Sequence, residues 1–381
     1  MNSKVKGLAA KKELPGFSTL DRGLTVLEAV LESAFPLSIQ EIARNTGIQR
    51  LAVYRLLCTL EQRGYVLRDD AKLYRSASQR NVQGRQVTIG FLAPLEGNAF
   101  RADLVSSLTA AARKAGANLL LFDNREDDVA TALENTSKLL NSRVDAAIFF
   151  QPVEAIGHMV ADSLFRSQVP FVTVERPIQG GVYYGANNFQ AGKMAGIVLA
   201  QFARNNWKSR FDRVVLLETM QHNPNVQARV TGVLVGLREV LGEIEESHVI
   251  HLDGKAHVES SQAAVNALLK KMRPGTRLLI SGFNDLSAVG ASRAVREAKR
   301  ESDVAIVGQN AAREGQMEIR RRGSRMIASI AYFPEKYGAN LIRLAMDLAA
   351  GRKTPPTVYT NHVALDRHNL DRFYPVLNPV E

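Results

Sequence analysis

The sequence predicts an α/β protein of two parts: a small helical N-terminal domain that ends in two short strands, and a larger two-lobed domain with doubly wound parallel sheets. Three helix-forming segments with capping signals occupy residues 17–75. From Val87 onward, apolar strands alternate with amphipathic helices, a pattern typical of parallel sheets covered on both faces. The alternating segment is too long for one open sheet, so two lobes are expected.

The composition excludes several classes of protein. The 381 residues are 45% hydrophobic and 23% charged, which is ordinary for a globular protein. The one cysteine, Cys58, excludes an internal disulfide framework and fits a reducing compartment. The basic N-terminus is not followed by an apolar run, and no stretch is apolar enough to span a bilayer. We therefore expect a cytoplasmic protein with no membrane partner.

The positive charge is concentrated at the N-terminus. The chain carries a net charge of +11. Residues 1–86 hold 14 Lys and Arg against 8 Asp and Glu, so more than half of the excess lies in less than a quarter of the chain. A basic domain gains affinity for phosphate by displacing condensed counterions. A solvated basic surface would show the same composition, so charge alone does not decide for DNA.

The N-terminal domain is predicted to span residues 17–75, between a polar arm at 1–16 and a polar linker at 76–86. After its helices, residues 65–68 and 72–75 have the pattern of two short strands joined by a turn. We expect these strands to form a small wing.

Helix signals divide the rest of this domain into three segments. Apolar residues at helical spacing predict a first helix over about residues 21–33. Ser38 and Glu41 form a capping-box pattern that opens a short second helix. The third helix is predicted over about 49–63, with Gly64 ending it. Three helices and a wing make a winged helix-turn-helix.

This domain resembles the DNA-binding domain of the IclR family. The most specific pieces are the opening of the first helix, the middle of the third and the exit from it: Leu20-Asp21-Arg22-Gly23-Leu24, Tyr54-Arg55-Leu56-Leu57 and Leu60-Glu61-Gln62-Arg63-Gly64-Tyr65-Val66. The resemblance implies that the third helix enters the major groove of DNA. IclR-family proteins usually continue into a GAF-like domain, which the alternation after residue 87 does not match.

Five residues at the start of the third helix are the candidate DNA contacts: Gln49, Arg50, Leu51, Tyr54 and Arg55. Arginine and glutamine can each form two hydrogen bonds with a base edge. Leu51 stands where family members often carry a hydroxyl residue, so it would touch a thymine methyl group instead of phosphate. Alternatively, Arg55 is an exposed helix charge and Tyr54 packs partly on the second helix.

Nine strands are predicted after the linker, with helical segments between most of them. The strands are 87–93, 118–123, 145–150, 170–174, 213–218, 247–251, 277–281, 303–308 and 326–330. Examples of the helical segments are 100–115, 187–206, 225–241, 258–271 and 285–299. Ligands of such sheets bind beyond the carboxyl ends of the strands.

Residues 87 to about 365 resemble the periplasmic-binding-protein fold of ribose-binding proteins and of LacI/GalR effector domains. The segments that carry the resemblance are Val87–Phe91 with Gly97–Phe100, Val169–Arg176, Ala186–Asn188 with Ala191-Gly192, Gln227–Arg229 with Gly232, Gly282–Asp285 with Ala288, and Val304–Asn310. Each segment is weakly specific, but their order and spacing together are specific.

The resemblance implies a role for several residues of the first lobe. Asn98 would bond a ligand hydroxyl, and the Phe100 ring would cover a sugar C–H face. Glu175 and Arg176 match an Asp-Arg pair that binds ring hydroxyls. Alternatively, Arg176 is a surface charge at a strand end and Phe100 belongs to a helix core.

In the second lobe, Arg229 and Asn284 match an arginine and an asparagine of the ligand cleft. Three further candidates depart from ribose-like binders, which makes ribose itself doubtful as the ligand. Asn310 stands where those proteins usually carry aspartate, Tyr332 where some carry glutamine, and Arg101 where a second aromatic ring is frequent. Asn187-Asn188 is expected to cap the following helix rather than to touch ligand.

These features together predict a DNA-binding regulator whose operator affinity is controlled by a small sugar, polyol or sugar acid. Paired DNA-binding domains match a palindromic operator, so we expect a homodimer or a tetramer. Because the sequence has no Walker loop, G-x-G-x-x-G, His-Glu-x-x-His or cysteine pair, no cofactor, metal or catalytic activity is expected.

Two other classes remain open from the sequence. One is a sugar-metabolising α/β enzyme with an accessory DNA-binding-like domain. The other is a plain solute-binding protein, which the helix-turn-helix and the missing signal peptide disfavour.

Overall fold

The structure is a computed structural model that describes residues 18–33, 36–68, 72–76, 86–97, 99–125, 127–219 and 224–375. The described residues up to Ser76 belong to one compact unit, and a second unit begins at Gln86. Each unit has a hydrophobic core of its own.

The N-terminal unit is a winged helix-turn-helix. Its elements are α1 (Ser18–Glu32), α2 (Ile39–Thr46), α3 (Arg50–Gln62), β1 (Val66–Arg68) and β2 (Tyr74–Ser76). The two strands pair antiparallel. Ser38 and Glu41 form the predicted capping box, and Gly47 ends α2 in the left-handed conformation.

The core of this unit gathers one face of each helix and the two strands. Its fully buried residues are Val26, Val30, Ile42, Val53, Leu57, Val66 and Tyr74. Leu24 and Leu31 continue the apolar spacing of α1, but they are 48% and 46% exposed. The helical spacing of apolar residues therefore predicted that α1 is a helix, but it did not distinguish the buried apolar residues of α1 from the exposed ones.

The first lobe of the second unit has a six-stranded parallel sheet in the order β13-β7-β6-β5-β3-β4. Its elements are β3 (Thr88–Ala93), α4 (Ala99–Ala115), β4 (Asn118–Asp123), α5 (Val129–Asn141), β5 (Ala146–Phe149), α6 (Glu154–Arg166), β6 (Phe171–Val174), β7 (Val182–Ala186), α12 (Tyr337–Ala349) and β13 (Thr357–Thr360).

The second lobe has a six-stranded sheet in the order β14-β12-β11-β10-β8-β9, in which only the edge strand β14 runs antiparallel. Its elements are α7 (Asn188–Trp207), β8 (Arg213–Glu218), α8 (Pro224–Leu241), β9 (Val249–Asp253), α9 (Val258–Lys271), β10 (Leu278–Ser281), α10 (Asp285–Glu297), β11 (Val304–Asn310), α11 (Arg313–Arg320), β12 (Met326–Ala331), β14 (Val363–Asp366) and α13 (Leu370–Phe373). Separate hydrophobic clusters cover its two faces, as doubly wound sheets require.

Three connections join the two lobes. The chain leaves the first sheet after β7 and enters the second lobe at α7. It returns between β12 and α12, and crosses again in the two residues between β13 and β14. These three segments form the hinge of the domain. None of the helices in the described part of the chain combines the length and apolar composition that a bilayer crossing requires.

Helices α7 and α8 touch each other through their backbones. Gly192 and Gly196 lie one turn apart on α7, and Gly232 and Gly236 lie one turn apart on α8. A Cβ added at any of the four would lie 1.9–2.2 Å from a backbone oxygen of the facing helix. Only glycine allows this approach, so the N-terminal half of α7 packs directly against the middle of α8.

We predict that Gly196→Ala destabilises the two-lobed domain by about 1–3 kcal/mol, because the added methyl group would push α8 away from α7. Urea unfolding followed by circular dichroism measures the change. Gly23→Ala in α1 is the matched control: there a Cβ would meet only Leu56 Cδ2, at 3.7 Å. Equal stability of Gly196→Ala and the unmodified protein would contradict the backbone contact.

Candidate functional site: an exposed third helix and a cleft between two lobes

The start of α3 presents the predicted DNA contacts on its outer surface. Val53 and Leu57 face the core, while the opposite side of the helix is exposed. That exposed side carries all five candidates: Gln49, Arg50, Leu51, Tyr54 and Arg55. Leu51 is 63% exposed and Tyr54 is 44% exposed, so both side chains are accessible from solvent. Their contact with DNA stays a prediction.

In the second lobe, the guanidinium group of Arg229 is buried, and three hydrogen bonds fix its orientation. Its Nε and Nη2 donate to Asn188 Oδ1 at 3.1 and 2.7 Å, and its Nη1 donates to the carbonyl oxygen of Phe283 at 2.6 Å. The rings of Phe283 and Tyr332 lie 5.0 and 5.2 Å from its carbon Cζ. The α7–α8 contact explains the pairing. It places the second turn of α8, which carries Arg229, beside the first turn of α7, which begins with Asn188.

This arrangement leaves hydrogen-bond donors for a ligand. A guanidinium group has five N–H bonds. Among the described residues, three of the five in Arg229 have protein acceptors. The Nδ2 group of Asn188 is also buried without a partner in the described structure. Arg229 and Asn188 therefore offer four N–H bonds within one small region, two from each side chain.

In the first lobe, the carboxylate of Glu175 provides the opposing acceptor. Glu175 Oε1 accepts hydrogen bonds from the Tyr337 hydroxyl at 2.6 Å and from the backbone N–H of Ala186 at 3.1 Å. Burial raises the pKa of Glu175, while the Tyr337 bond, the charge of Arg229 and the Ala186 bond act to lower it. The charge of Arg229 in the second lobe thus acts on the carboxyl group of Glu175 in the first lobe, across the cleft.

The backbone at Glu175 is left-handed, with φ of +59°, directly after β6. Gly185 makes this possible: a Cβ there would lie 2.9 Å from Glu175 Cα. The close approach lets the Glu175 N–H donate to the Tyr184 carbonyl at 3.0 Å. Such strain is held only where the surrounding structure fixes it, and it is common at functional sites.

Aromatic rings line the first lobe next to Glu175. The Phe100 ring lies 5.7 Å from the Phe150 ring and 6.0 Å from the Tyr337 ring. Tyr337 also packs edge-on against Tyr184 at 5.1 Å. Burial and the neighbouring charge of Glu175 raise the pKa of Tyr337, so its hydroxyl stays a donor to that carboxylate. Aromatic rings beside polar groups suit a ligand with both C–H and hydroxyl faces.

His362 connects the three hinge segments. Its Nε2 accepts from the backbone N–H of Asn187, after β7, at 3.1 Å. Its Nδ1 lies 3.3 Å from the carbonyl oxygen of Ala331, at the end of β12, and is therefore the protonated nitrogen. Burial and the charge of Arg229 lower the pKa of His362 and keep this neutral form, against the Ala331 bond that raises it.

Four of the predicted ligand residues are brought together in the cleft, namely Phe100, Glu175, Arg229 and Tyr332. Tyr332 is buried, and its hydroxyl donates to Gln309 Oε1 at 3.1 Å. Its ring lies 4.8 Å from that of His362. Tyr332 therefore links the Arg229 group to the hinge.

The remaining predicted residues have other partners or lie at the margin. Arg101 folds back to donate to the Glu96 carbonyl, and Arg176 pairs with Glu154 and donates to the Pro152 carbonyl. Asn284 caps α10 and donates to the Ala256 carbonyl. Asn310 ends β11 with φ of +98°. Asn98 lies outside the described residues.

Sequence reasoning missed Tyr337, His362 and the role of Asn188. Asn187 caps α7 as predicted, accepting from the Gln190 N–H at 3.0 Å, but Asn188 holds Arg229 instead. The glycine pairs on α7 and α8 are visible in the sequence and could have indicated this contact. Nothing local marks Tyr337 or His362, because each acts across the hinge.

The fold and the cleft define a two-lobed small-molecule-binding domain joined to a helix-turn-helix domain. Residues 89–353 match the periplasmic binding protein domain, and residues 19–70 match the IclR helix-turn-helix domain. The chain belongs to the periplasmic binding protein domain family. Curated protein sequences gave no significant match.

Solved structures with the same fold include several sugar-bound proteins. The ABC transporter periplasmic solute binding protein from Actinobacillus succinogenes 130z with bound D-allose is 17% identical, with a TM-score of 0.64, over 75% of this chain and 100% of that chain. A Mycobacterium smegmatis protein in complex with β-D-fucofuranose is 20% identical, with a TM-score of 0.63, over 76% and 94%. A solute binding protein from Bacillus halodurans C-125 with bound myo-inositol is 14% identical, with a TM-score of 0.62, over 77% and 99%.

We predict that Asn188 and Arg229 are energetically coupled. Asn188→Ala leaves buried donors of Arg229 without an acceptor, which costs about 1–3 kcal/mol of stability. Arg229→Met in the same chain removes those donors, so the double variant should be more stable than the sum of the two single changes implies, by about 0.5–3 kcal/mol. Urea unfolding of the four proteins measures the coupling, and strictly additive losses would contradict it.

Proposed function

We propose that this protein is a transcriptional regulator that binds operator DNA through α3 and binds a small sugar, polyol or sugar acid between its two lobes. The observation that carries the proposal is the union in one chain of an outward-facing third helix and a cleft with polar and aromatic walls. A DNA-binding element and a small-molecule sensor together make a ligand-controlled switch. Such a protein acts in the cytoplasm, where the DNA is.

The cleft supports a ligand with several neighbouring hydroxyl groups. Hydroxyls both donate and accept, so they suit a wall of donors at Arg229 and Asn188 facing an acceptor at Glu175. The Phe100 and Tyr337 rings would pack on the C–H face of the ligand. The ligands named for proteins of the same fold, D-allose, β-D-fucofuranose and myo-inositol, are all polyhydroxylated.

Effector control of DNA binding requires that ligand favour one arrangement of the lobes over another. Ligand that contacts Glu175 and Arg229 together would favour the closed arrangement. In a homodimer or a tetramer, closure would change the spacing of paired DNA-binding domains and hence their fit to a palindromic operator. The support for non-enzymatic action is the class of the two domains.

The DNA half is tested with Arg50→Ala. This change is expected to weaken binding to operator DNA by about 5- to 150-fold, because a bidentate arginine–base contact contributes about 1–3 kcal/mol of discrimination. Gel-shift titration with DNA upstream of the protein's own gene, against random DNA, measures the loss. The control is Arg63→Ala, about 20 Å along α3 from Arg50. Equal effects of the two variants would reject base reading by the start of α3.

The sensing half is tested by thermal melting of the intact protein against pentoses, hexoses, inositols, polyols and sugar acids. A ligand at 100 times its Kd should add about 2.7 kcal/mol to the free energy of unfolding. Arg229→Ala should abolish the shift. Arg166→Ala, an exposed arginine that pairs with Asp162 on α6, should preserve it. A panel without any shift would reject the sugar-sensing proposal.

A further inference from the structure

The loop after β11 has a backbone conformation that residues with side chains rarely adopt. Asn310 has φ of +98° and the next residue, Ala311, has φ of +55°. Two consecutive residues other than glycine in the left-handed region need support from surrounding groups. Ala311 is buried, so that support comes from the interior of the second lobe.

One buried carboxyl group supplies the support. Asp285 Oδ2 accepts the backbone N–H of Ala312 at 2.6 Å, and Asp285 Oδ1 accepts the hydroxyl of Ser329 at 2.6 Å. Ser329 Oγ in turn accepts the backbone N–H of Ala311 at 2.9 Å. Asp285 therefore fixes two successive amides of the loop, one directly and one through Ser329.

The space around this carboxyl group is made by glycines. A Cβ at Gly308 would lie 2.2 Å from Asp285 Oδ1, and a Cβ at Gly315 would lie 2.4 Å from Asp285 Cγ. These glycines come from β11 and α11, which flank the loop. Any larger residue at either position would displace the carboxyl group from the loop.

The loop lies beside the cleft groups described above. Gln309, the residue before it, is buried and accepts the hydroxyl of Tyr332. The Tyr332 ring lies against the guanidinium group of Arg229. A change in the loop would therefore move Gln309, then Tyr332, and then the aromatic surface against Arg229.

Resting on the proposed sugar-sensing function, we infer that Asp285 is a positioning residue of the effector site. It holds the loop of residues 310–312 in the strained conformation that sets Asn310 and Tyr332 at the cleft. Asp285 acts through Ser329 and the loop backbone, and it does not touch the effector.

The buried position of Asp285 also shifts its pKa. Burial raises its pKa from 3.8 to about 7, against the lowering effect of the Ser329 and Ala312 bonds. The charged or titratable groups that face it are Glu314 on α11, Tyr332 after β12 and Tyr374 after α13. Because its pKa is higher folded than unfolded, its contribution to stability is present below about pH 4 and is lost as pH rises through 7.

We predict that Ser329→Ala raises the hydrogen-exchange rate of the Ala311 amide at least tenfold, since that N–H loses its acceptor. Asp285→Ala should do the same for both Ala311 and Ala312. Asp285→Asn, which keeps one acceptor oxygen and fills the same space, should restore part of the protection. The amide of Ile330, inside β12, is the internal reference, and Asp162→Ala on α6 is the control variant. Exchange is measured on the intact, ligand-free protein.

Two further readouts separate positioning from a purely structural role. The stability advantage of the unmodified protein over Asp285→Asn should fall as pH rises from about 4 to 7. For the panel compound with the largest melting shift, Ser329→Ala should weaken binding about tenfold.

The outcomes distinguish this inference from the proposed function. Unchanged exchange at Ala311 in Ser329→Ala and in Asp285→Ala would overturn the role of Asp285, even with a sugar bound. A bound sugar with unchanged affinity in Ser329→Ala would overturn it as well. A panel without ligand would reject sugar sensing, and the exchange and pH measurements would still decide on Asp285.

Discussion

The backbone contact between α7 and α8 is the constraint on which the second lobe depends. Four glycines remove the side chains that would keep the helices at an ordinary separation. The contact brings Asn188 to Arg229 and lets an amide oxygen, not a carboxylate, hold a buried guanidinium group. A neutral partner leaves the positive charge of Arg229 available to whatever enters the cleft.

Strained backbone is found at several strand ends of the two-lobed domain. Glu175 follows β6, Asn310 ends β11 and Phe333 follows β12, and all three have positive φ. A neighbouring group supports each of them. Gly185 leaves room beside Glu175, and Asp285 accepts the N–H of Ala312, two residues after Asn310. The rings of Phe373 and Tyr374 pack beside Phe333. The sheets thus provide rigid ends from which irregular loops present side chains to a ligand.

The sequence predicted most of the fold because buried parallel strands are continuous apolar runs. All nine predicted strands match within two residues at each end, including the predicted strand 247–251, which lies two residues later, at Val249–Asp253. The strands β7, β13 and β14 were not predicted. Two of them, β13 and β14, are half-exposed edge strands, and β13 shows only weak alternation of burial.

The cleft was less predictable than the fold. The cleft positions of Glu175, directly after β6, and of Arg229, on α8, follow from the order of the elements and the resemblance. Tyr337 and His362 form hydrogen bonds with residues 162 and 175 positions away in the chain. A local sequence pattern cannot reveal contacts between residues so far apart. Asn284 and Arg176 have the right residue type at the right strand end, yet their polar atoms already bond to helix α10 and to Glu154.

The imidazole of His362 has a mechanical consequence. Because its two nitrogens bond to two hinge segments while its own backbone forms the third, the three connections cannot bend independently. A motion that separates any two of these connections would have to break an imidazole hydrogen bond, so bending at one connection is transmitted to the other two.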